Sequence, residues 1–232
     1  MPEKMFVGLD GSDGIGFDPE ISSHFVLVAV SCSDKEEAKK AAHSIDAHGP
    51  KRQLYTKWKL AIDDLLHYDL RYYVLLFDKT STSDSFKKNF RNLPTSQWNT
   101  SRKKNAIFEK YAKQGWLIPE TWFRFKGKFP SEFKFDGDLN GAVWELCMKQ
   151  IKTHAENHVG LCDVGVAGEE NHLIKIAHVI ATFAHNQLID GSTINGEPEV
   201  VLALKPKVLV FTLITDPEVG MFGKIPTGFT PW

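Results

Sequence analysis

The sequence predicts an α/β protein in which helices cover a central mixed β-sheet. Two apolar, β-rich segments, residues 4–9 and 24–32, lie close together in the chain and are expected to pair. Helical and strand-like segments then alternate as far as residue 185. A chain of 232 residues is long enough for one large domain, and we expect residues 1–232 to form a single one.

The first half of the chain contains two predicted helices and a further strand. Ser33 and Asp34 are both suited to cap a helix whose first turn is acidic, and a Gly-Pro pair at residues 49–50 would end it. Residues 51–67 follow with the apolar spacing of an amphipathic helix. Residues 70–78 are predicted to be a buried strand that ends on an aspartate.

The second half of the chain is less regular. We expect a basic helix over residues 101–114, loops with a short hairpin over 116–138, and a helix over 140–156. Residues 158–166 are a strand candidate, and residues 169–185 form the clearest helix, with a middle that is apolar nearly all round. The tail, residues 199–214, is β-rich with a proline inside, which predicts an edge strand or two strands joined by a turn.

The charges of the chain are unevenly distributed. Residues 86–128 contain eleven Lys or Arg and two Glu, a net charge of about +9, although the whole chain has a formal net charge of −1. Cations interleaved with aromatic rings favour a nucleic-acid partner, since they can bind phosphates and unstacked bases; a solvated helix with aromatics in the core is the alternative. The candidate nucleic-acid-binding residues are Lys79, Lys87, Lys88, Arg91, Arg102, Lys103, Lys104, Trp98 and Trp116.

Carboxylates lie at the ends of several predicted elements. Asp10 follows the first strand in a Gly-rich turn, Asp78 ends the central strand, and Glu169 and Glu170 begin the buried helix, with His172 close behind. If the first and central strands are neighbours, Asp10 and Asp78 lie side by side, and a cluster of like charges requires a cation. Oxygen ligands favour Mg²⁺ or Mn²⁺, and two such ions can hold a phosphodiester and activate water. Turn chemistry and helix-dipole stabilisation are the structural alternatives.

Three motifs carry a resemblance to a known family: Gly-Leu-Asp-Gly at residues 8–11, Phe-Asp-Lys at 77–79, and Glu-Glu-Asn-His-Leu-Ile-Lys-Ile-Ala at 169–177. With them the chain resembles the ribonuclease H-like superfamily, nearest to RuvC-type resolvases and to predicted ribonuclease H-like nucleases. Members carry an aspartate on the first strand, an acid on the fourth, and Asp, Glu or His on the last helix.

The resemblance implies a ribonuclease H-like domain with a basic insertion at about residues 80–138. It implies that Asp10, Asp78 and Glu169 or Glu170 hold metal, and that His172 takes a late-helix ligand position. The sequence departs from the pattern in four respects, of which the basic insertion and a long tail beyond the last helix are two. Only two early strands are clear where that fold has three, and His178 stands at a mid-helix position where some families have an aspartate. His178 and His185 on their own read as core histidines.

The function predicted from these features is that of a divalent-metal-dependent nuclease with Asp10, Asp78, Glu170 and His172 as catalytic residues. Two alternatives stay open. One is a catalytically inactive module of the same fold that binds nucleic acid or protein. The other is a small phosphotransferase, since Leu-Asp-Gly-Ser-Asp-Gly-Ile-Gly at residues 9–16 is similar to the phosphate loop of actin-like sugar kinases.

The composition also bounds the expected compartment. No apolar run is long enough to span a bilayer, and the first residues lack the pattern of a signal peptide. Cys32, Cys147 and Cys162 are few and each lies in an apolar stretch, which indicates buried thiols in a reducing environment. We therefore expect a cytoplasmic protein.

Overall fold

The computed structural model describes residues 4–12, 24–49, 51–78, 131–136 and 163–214, and elements are numbered within these residues. The strands are β1 (Phe6–Ser12), β2 (His24–Cys32), β3 (Leu70–Asp78), β4 (Glu132–Asp136), β5 (Asp163–Ala167), β6 (Thr193–Ile194), β7 (Glu197–Pro198) and β8 (Val208–Ile214). The helices are α1 (Lys35–Ala47), α2 (Lys51–Leu65), α3 (His172–Asp190) and α4 (Glu199–Leu204), and a 3₁₀ turn spans Lys205–Lys207.

Six of these strands form one mixed sheet with the order β5-β4-β1-β2-β3-β8. β1, β2 and β3 form an antiparallel meander, whereas β4 is parallel to β1, β5 is parallel to β4, and β8 is parallel to β3. The short strands β6 and β7 form a separate hairpin. The α/β architecture with a central mixed sheet flanked by helices, predicted from the sequence, is confirmed, and so is the pairing of the first two strands.

One face of the sheet packs against the helices. Val26, Val28 and Val30 of β2 alternate toward α1 and α3 and share a core with the buried residues of both helices. The intervening residues Leu27 and Ala29 point to the other face and are also buried. Burial on both faces explains why β2 is apolar along its whole length instead of alternating with polar residues.

Helix α3 is the central helix of this core. Its middle is buried against β1, β2 and α1, as its nearly continuous apolar sequence predicted. The helix begins later than the predicted residue 169, because the side chain of Asn171 caps it by accepting hydrogen bonds from the backbone N–H groups of Leu173 and Ile174. Gly191 ends the helix in the left-handed conformation, with φ of 78°.

Other boundaries agree with the sequence at the level of a few residues. Asp34 caps α1, and its side chain accepts a hydrogen bond from the N–H of Glu36. The predicted strand over residues 70–78 is β3. The second predicted helix ends at Leu65 instead of residue 67 and contains a kink at Lys57.

Two sequence predictions are wrong. Residues 199–204 are helical instead of extended, and only residues 208–214 form the predicted edge strand, since Pro206 lies in the 3₁₀ turn between them. Residues 132–136, which we expected in loops and within the basic insertion, form β4 inside the central sheet. β4 alternates between half-exposed and buried residues over only five positions, too short a run to stand out in an aromatic-rich stretch.

Several predictions lie outside the described residues. They include the helices over 101–114 and 140–156, the basic stretch 86–128, and the thiols of Cys147 and Cys162. The predicted strand over 158–166 is described from Asp163 onward, where it is β5. Within the described parts of the chain, no helix is both long enough and apolar enough to cross a membrane.

Candidate functional site

β1 and α3 approach each other closely at Gly8. A Cβ atom built at Gly8 would lie 2.6 Å from the backbone nitrogen of Ile174 and 2.6 Å from the Cβ of Leu173, so only glycine fits there. Because side chains of a strand alternate between its faces, the next residue on this face is Asp10. The close packing at Gly8 therefore brings Asp10 against the first turns of α3.

Asp10 is 2 % exposed and is held by two hydrogen bonds. The backbone N–H of Gly11 donates to Oδ1 of Asp10 at 2.7 Å, and Nδ1 of His178 lies 2.8 Å from Oδ2. Since an ionised carboxylate only accepts, His178 donates in this contact. A buried carboxylate needs such partners. Asp10 lies inside β1, and not in a turn after the first strand as predicted, because β1 stays paired with β2 as far as Ser12.

Asp136 is the nearest acidic neighbour of Asp10 in the sheet. β4 runs parallel to β1, with Phe6 beside Glu132 and Leu9 beside Phe135. Continuing this register by one residue places Asp136 beside Asp10, on a strand about 4.8 Å away. Paired residues of neighbouring strands point to the same face, so both carboxylates project toward α3.

Glu169 lies near the other side of the His178 ring. Its Oε1 is 3.9 Å from Nε2 of His178, which is longer than a hydrogen bond. Glu169 belongs to the turn between β5 and α3, and its side chain is half exposed. His178 is thus flanked by the carboxylate of Asp10 at Nδ1 and that of Glu169 at Nε2.

Glu170 has a local structural role in the same turn. Its Oε1 accepts a hydrogen bond of 2.8 Å from the backbone N–H of Gly168. Hydrogen bonds from the backbone, first that of Gly168, lower the pKa of Glu170. The structure brings Glu169, and not Glu170, toward His178; metal binding and catalysis by Glu170 remain predictions from the resemblance.

The resemblance implies that His172 takes a ligand position, but the ring contact that the structure shows is with another histidine. Its ring packs edge to face on that of His43 in α1, with the centroids 5.8 Å apart. Burial first, and then the adjacent His43, lower the pKa of His172. His172 precedes His178 by six residues, which turns it by about 120° around the helix. None of these contacts links His172 to Asp10. A catalytic role of His172 therefore stays a prediction.

The expectation that Asp10 and Asp78 lie side by side is wrong, because β2 separates β1 from β3. Asp10 is paired with Val28, and Val28 with Val74, whereas Asp78 lies four residues further along β3. That offset is about 13 Å along the strands and two strands across. One ion cannot bridge two residues whose strand positions are so far apart. Any function of Asp78 stays a prediction.

The predicted nucleic-acid-binding residues all lie outside the described parts of the chain. They are Lys79, Lys87, Lys88, Arg91, Trp98, Arg102, Lys103, Lys104 and Trp116. Residues 13–23, which contain most of the predicted Gly-rich turn, also lie outside the described residues. The alternative of a small phosphotransferase with a phosphate loop therefore stays a prediction.

The donor atoms at this site match a hard divalent cation in kind. Asp10 and Asp136 offer carboxylate oxygens on one face, and such oxygens are the ligands that Mg²⁺ and Mn²⁺ prefer. Within the described residues, however, no group of three or more His, Cys, Asp or Glu side chains lies close enough together to hold an ion. The pair of carboxylates therefore fits a cation chemically without forming a complete ligand set.

Sequence analysis missed Asp136 and misassigned His178. Asp136 was hidden because β4 was not recognised, although the alternating Glu-Phe-Lys-Phe-Asp is itself a strand pattern. His178 was taken for a core histidine, yet 30 % of its side chain is exposed and it contacts Asp10. Its mid-helix position, where some families of the superfamily that the sequence resembles carry an aspartate, was the signal that could have identified it.

Comparisons with known proteins give similarity in structure only. No protein family model and no curated protein matches the sequence. Ribonuclease HII of Archaeoglobus fulgidus, solved in complex with PCNA, matches with a TM-score of 0.44 and 18 % identity, covering 82 % of this chain and 75 % of that chain. Ribonuclease H2 of Pyrococcus horikoshii OT3 matches with a TM-score of 0.44 and 12 % identity, covering 83 % and 78 %.

Both similarities are weak in sequence and in TM-score. The chemistry of the site follows from its own residues.

Proposed function

We propose that this protein is a divalent-metal-dependent phosphodiester hydrolase acting on nucleic acid, with Mg²⁺ or Mn²⁺ as its cofactor. The observation that supports it best is the register of β1 and β4, which ends with Leu9 beside Phe135 and, continued by one residue, places Asp10 and Asp136 on one face of adjacent parallel strands. Two carboxylates so close together repel each other unless a cation or a proton lies between them.

We assign the cation to Asp10 and Asp136, whereas Glu169, which lies at the other end of the His178 ring, is retained as a competing assignment. A divalent ion in this position would neutralise the phosphodiester and activate water for attack on phosphorus. Asp78 and Glu170, which the resemblance implies as ligands, are retained as competing assignments. We also propose that residues 1–232 form one domain, since the sheet takes strands from residues 6 to 214.

In this proposal, two residues position the Asp10 carboxylate. Gly8 allows α3 to approach β1, and His178 fixes the orientation of the Asp10 carboxylate through its Nδ1 contact. The basic residues of 86–128 would bind the phosphate backbone and Trp98 and Trp116 would stack on bases.

The test is Mn²⁺ binding by calorimetry to the native chain and to Asp10→Asn, Asp136→Asn and Asp78→Asn. Each substitution removes one negative charge and keeps the size of the side chain. We expect both Asp10→Asn and Asp136→Asn to weaken Mn²⁺ binding by at least tenfold, because each replaces one carboxylate oxygen by an amide NH₂ group and removes the charge that attracts the cation. Asp78→Asn is the matched control, since the register places Asp78 far from the other two.

The same variants are then assayed for Mn²⁺-dependent cleavage of labelled RNA, DNA and RNA–DNA hybrids. Loss of cleavage in the Asp10 and Asp136 variants, with activity kept in Asp78→Asn, is the expected result. Equal loss in Asp78→Asn would favour the ligand set implied by the resemblance. No Mn²⁺ binding and no cleavage by the native chain would overturn the hydrolase.

One contact favours the second candidate, an inactive module of the same fold that binds nucleic acid. The Asp10 carboxylate accepts hydrogen bonds from the backbone N–H of Gly11 and from His178. A histidine that can carry positive charge stands where an aspartate would repel Asp10. This module would bind nucleic acid through residues 86–128 with an affinity that is independent of Mn²⁺, and would leave the substrates intact.

A further inference from the structure

Two cationic side chains meet at the corner of the sheet where β3 and β8 begin. Arg71 is the second residue of β3, and Lys207 directly precedes β8. The two strands are parallel, and Tyr72 is paired with Val208, so residues 71 and 207 lie at the same end of neighbouring strands. Burial first, and then the charge of Arg71, lower the pKa of Lys207. The two positive charges are therefore close enough to repel each other.

This corner is separate from the candidate site around Asp10. Arg71 is paired with Ser31, and Ser31 with Val7, three residues before Asp10. The offset from Asp10 is thus about 10 Å along the strands and two strands across. The neighbour of Arg71 in β3, Tyr72, belongs to the core shared with the helices, so the Arg71 side chain points to the face of the sheet opposite α3.

Both cations are anchored to the turn between α2 and β3. Nζ of Lys207 donates a hydrogen bond to the carbonyl oxygen of Tyr68, which also accepts the N–H of Leu70 at 2.9 Å. Nη1 of Arg71 lies 2.8 Å from the carbonyl oxygen of Leu70 and 2.8 Å from Oδ1 of Asp69. These contacts hold the two charged groups over residues 68–70.

Donors remain on both groups after these contacts. Guanidinium and ammonium groups each have several N–H donors. Toward the described residues, Arg71 uses only Nη1, and Lys207 donates only to Tyr68. The Arg71 side chain is 43 % exposed, so a ligand can reach it from solvent. Asp69 first, and then Glu37, partly offset the positive charge at Lys207, but the side chain of Asp69 is itself 66 % exposed.

We propose that Arg71 and Lys207 bind a phosphate oxyanion, at a site that is separate from the proposed hydrolase site and independent of divalent cations. The planar guanidinium can donate to two phosphate oxygens at once, and the ammonium group adds a point charge. An oxyanion between them replaces the repulsion of the two cations by an attraction to each. Free phosphate and the phosphodiester backbone of nucleic acid both offer this chemistry, and the experiment distinguishes them.

The experiment measures the binding of inorganic phosphate in EDTA, from the rise in thermal midpoint and by calorimetry. Sodium chloride at the same ionic strength is the comparison, because salt screens the charges of any protein. The variants are Arg71→Gln, Lys207→Gln and Asp69→Asn. Lys59→Gln is the matched control, because Lys59 is also a cation with a carboxylate partner, Glu199 at 3.7 Å, but lies on the exposed side of α2.

We expect the native chain and Lys59→Gln to bind phosphate equally. Arg71→Gln and Lys207→Gln should each weaken binding roughly tenfold, the loss of one hydrogen bond to a charged group. Asp69→Asn should instead strengthen binding roughly threefold, because it removes a carboxylate that competes for Arg71 in an exposed ion pair. This opposite sign separates an anion site from cations that only anchor the turn, since loss of an anchor contact would not raise phosphate affinity.

A short single-stranded oligonucleotide, also titrated in EDTA, identifies the source of the oxyanion. If Arg71→Gln and Lys207→Gln weaken its binding as they weaken that of phosphate, the oxyanion belongs to a nucleic-acid backbone. If they weaken only phosphate binding, the site takes the free ion.

Two results would overturn the oxyanion site. One is a native chain whose thermal midpoint responds to phosphate as it does to chloride. The other is a phosphate affinity that neither Arg71→Gln nor Lys207→Gln changes. Both results would leave the proposed hydrolase untouched, because its test uses Mn²⁺ and the variants of Asp10 and Asp136.

Discussion

Asp10 is the residue around which the candidate site is arranged. Its carboxylate is buried between the backbone of Gly11 and the ring of His178, so it is oriented before any ligand arrives. A fixed carboxylate is what a metal site requires, because a ligand that is already in place loses little conformational freedom on binding. Whether residue 178 is an acid or a histidine then decides between a cation site and a hydrogen-bonded pair of Asp10 with the ring of residue 178.

Cys32 provides a prediction at the scale of one residue. Burial raises the pKa of the Cys32 thiol from 9.0 to about 11. The folded state thus disfavours the thiolate, so this residue leaves stability unchanged below pH 9 and reduces it as the pH rises from 9 to 11. We expect the urea midpoint of the native chain to fall more steeply over that interval than the midpoint of Cys32→Ala.

The comparison of the two urea midpoints cancels the other groups that titrate above pH 9. Cys32→Ala will have a constant offset at every pH from the lost packing of sulfur. A difference between the two chains that stays constant from pH 8 to pH 11 would contradict the prediction. At neutral pH the protonated, buried thiol should also resist alkylation until the chain is unfolded.

At the scale of elements, the contact between β1 and α3 builds the site. Gly8 lets the backbone of the strand reach the first turn of the helix, and the Asn171 cap fixes where that turn begins. Asp10 and His178 meet as a consequence. We therefore regard Gly8 as a positioning residue of the site, although it has no side chain.

Gly8→Ala is expected to destabilise the protein by about 1–3 kcal/mol, because the added methyl group overlaps with backbone and Cβ atoms that cannot move aside. Gly165→Ala in β5 is the matched control. Its new methyl group would meet only the Nζ end of Lys134 at 3.3 Å, a flexible group. Urea denaturation of both variants checks the prediction, and equal stability of the two would refute it.

At the scale of the whole molecule, the sheet topology brings together residues that are far apart in the chain. Asp10 and Asp136 are neighbours only because β4 is parallel to β1 and lies on the opposite side from β2. The basic stretch of residues 86–128 precedes β4 directly in the sequence. A nucleic-acid strand bound by that stretch would be tethered to a segment that leads into the candidate site.

The basic stretch carries the prediction at this scale. Replacing Arg102, Lys103 and Lys104 by Ala should lower the salt dependence of nucleic-acid binding by roughly 2–3 units in the slope of log K against log salt, since each lost phosphate contact lowers it by about one. The measurement is a titration of the affinity over a range of salt concentrations. Mn²⁺ affinity should be unchanged.

The matched control replaces Lys39, Lys40 and Lys59, which are exposed on α1 and α2. It removes the same charge from another part of the protein. A similar decrease in slope for both triple variants would mean that net charge, and not the basic stretch, determines binding. The cytoplasmic location also stays a prediction from the sequence.

The sequence by itself determined the elements whose patterns are local. The buried strands β2 and β3, the N-cap at Asp34 and the apolar middle of α3 were predictable, because periodicity and capping depend on neighbouring residues. Asp10 was identified from its place between an apolar stretch and a Gly-rich segment, although the strand itself continues to Ser12. The prediction of a nuclease came from the resemblance, which implied roles for individual residues but not the distances between their side chains.

Only the tertiary structure decided which acids are neighbours. Strand order is a non-local property, so the sequence did not reveal that β2 separates Asp10 from Asp78 or that β4 pairs with β1. The contact of His178 with Asp10 likewise depends on how closely α3 packs at Gly8. A short strand such as β4 gains its stability from its neighbours in the sheet. The position of Asp136 therefore becomes evident only in the folded protein.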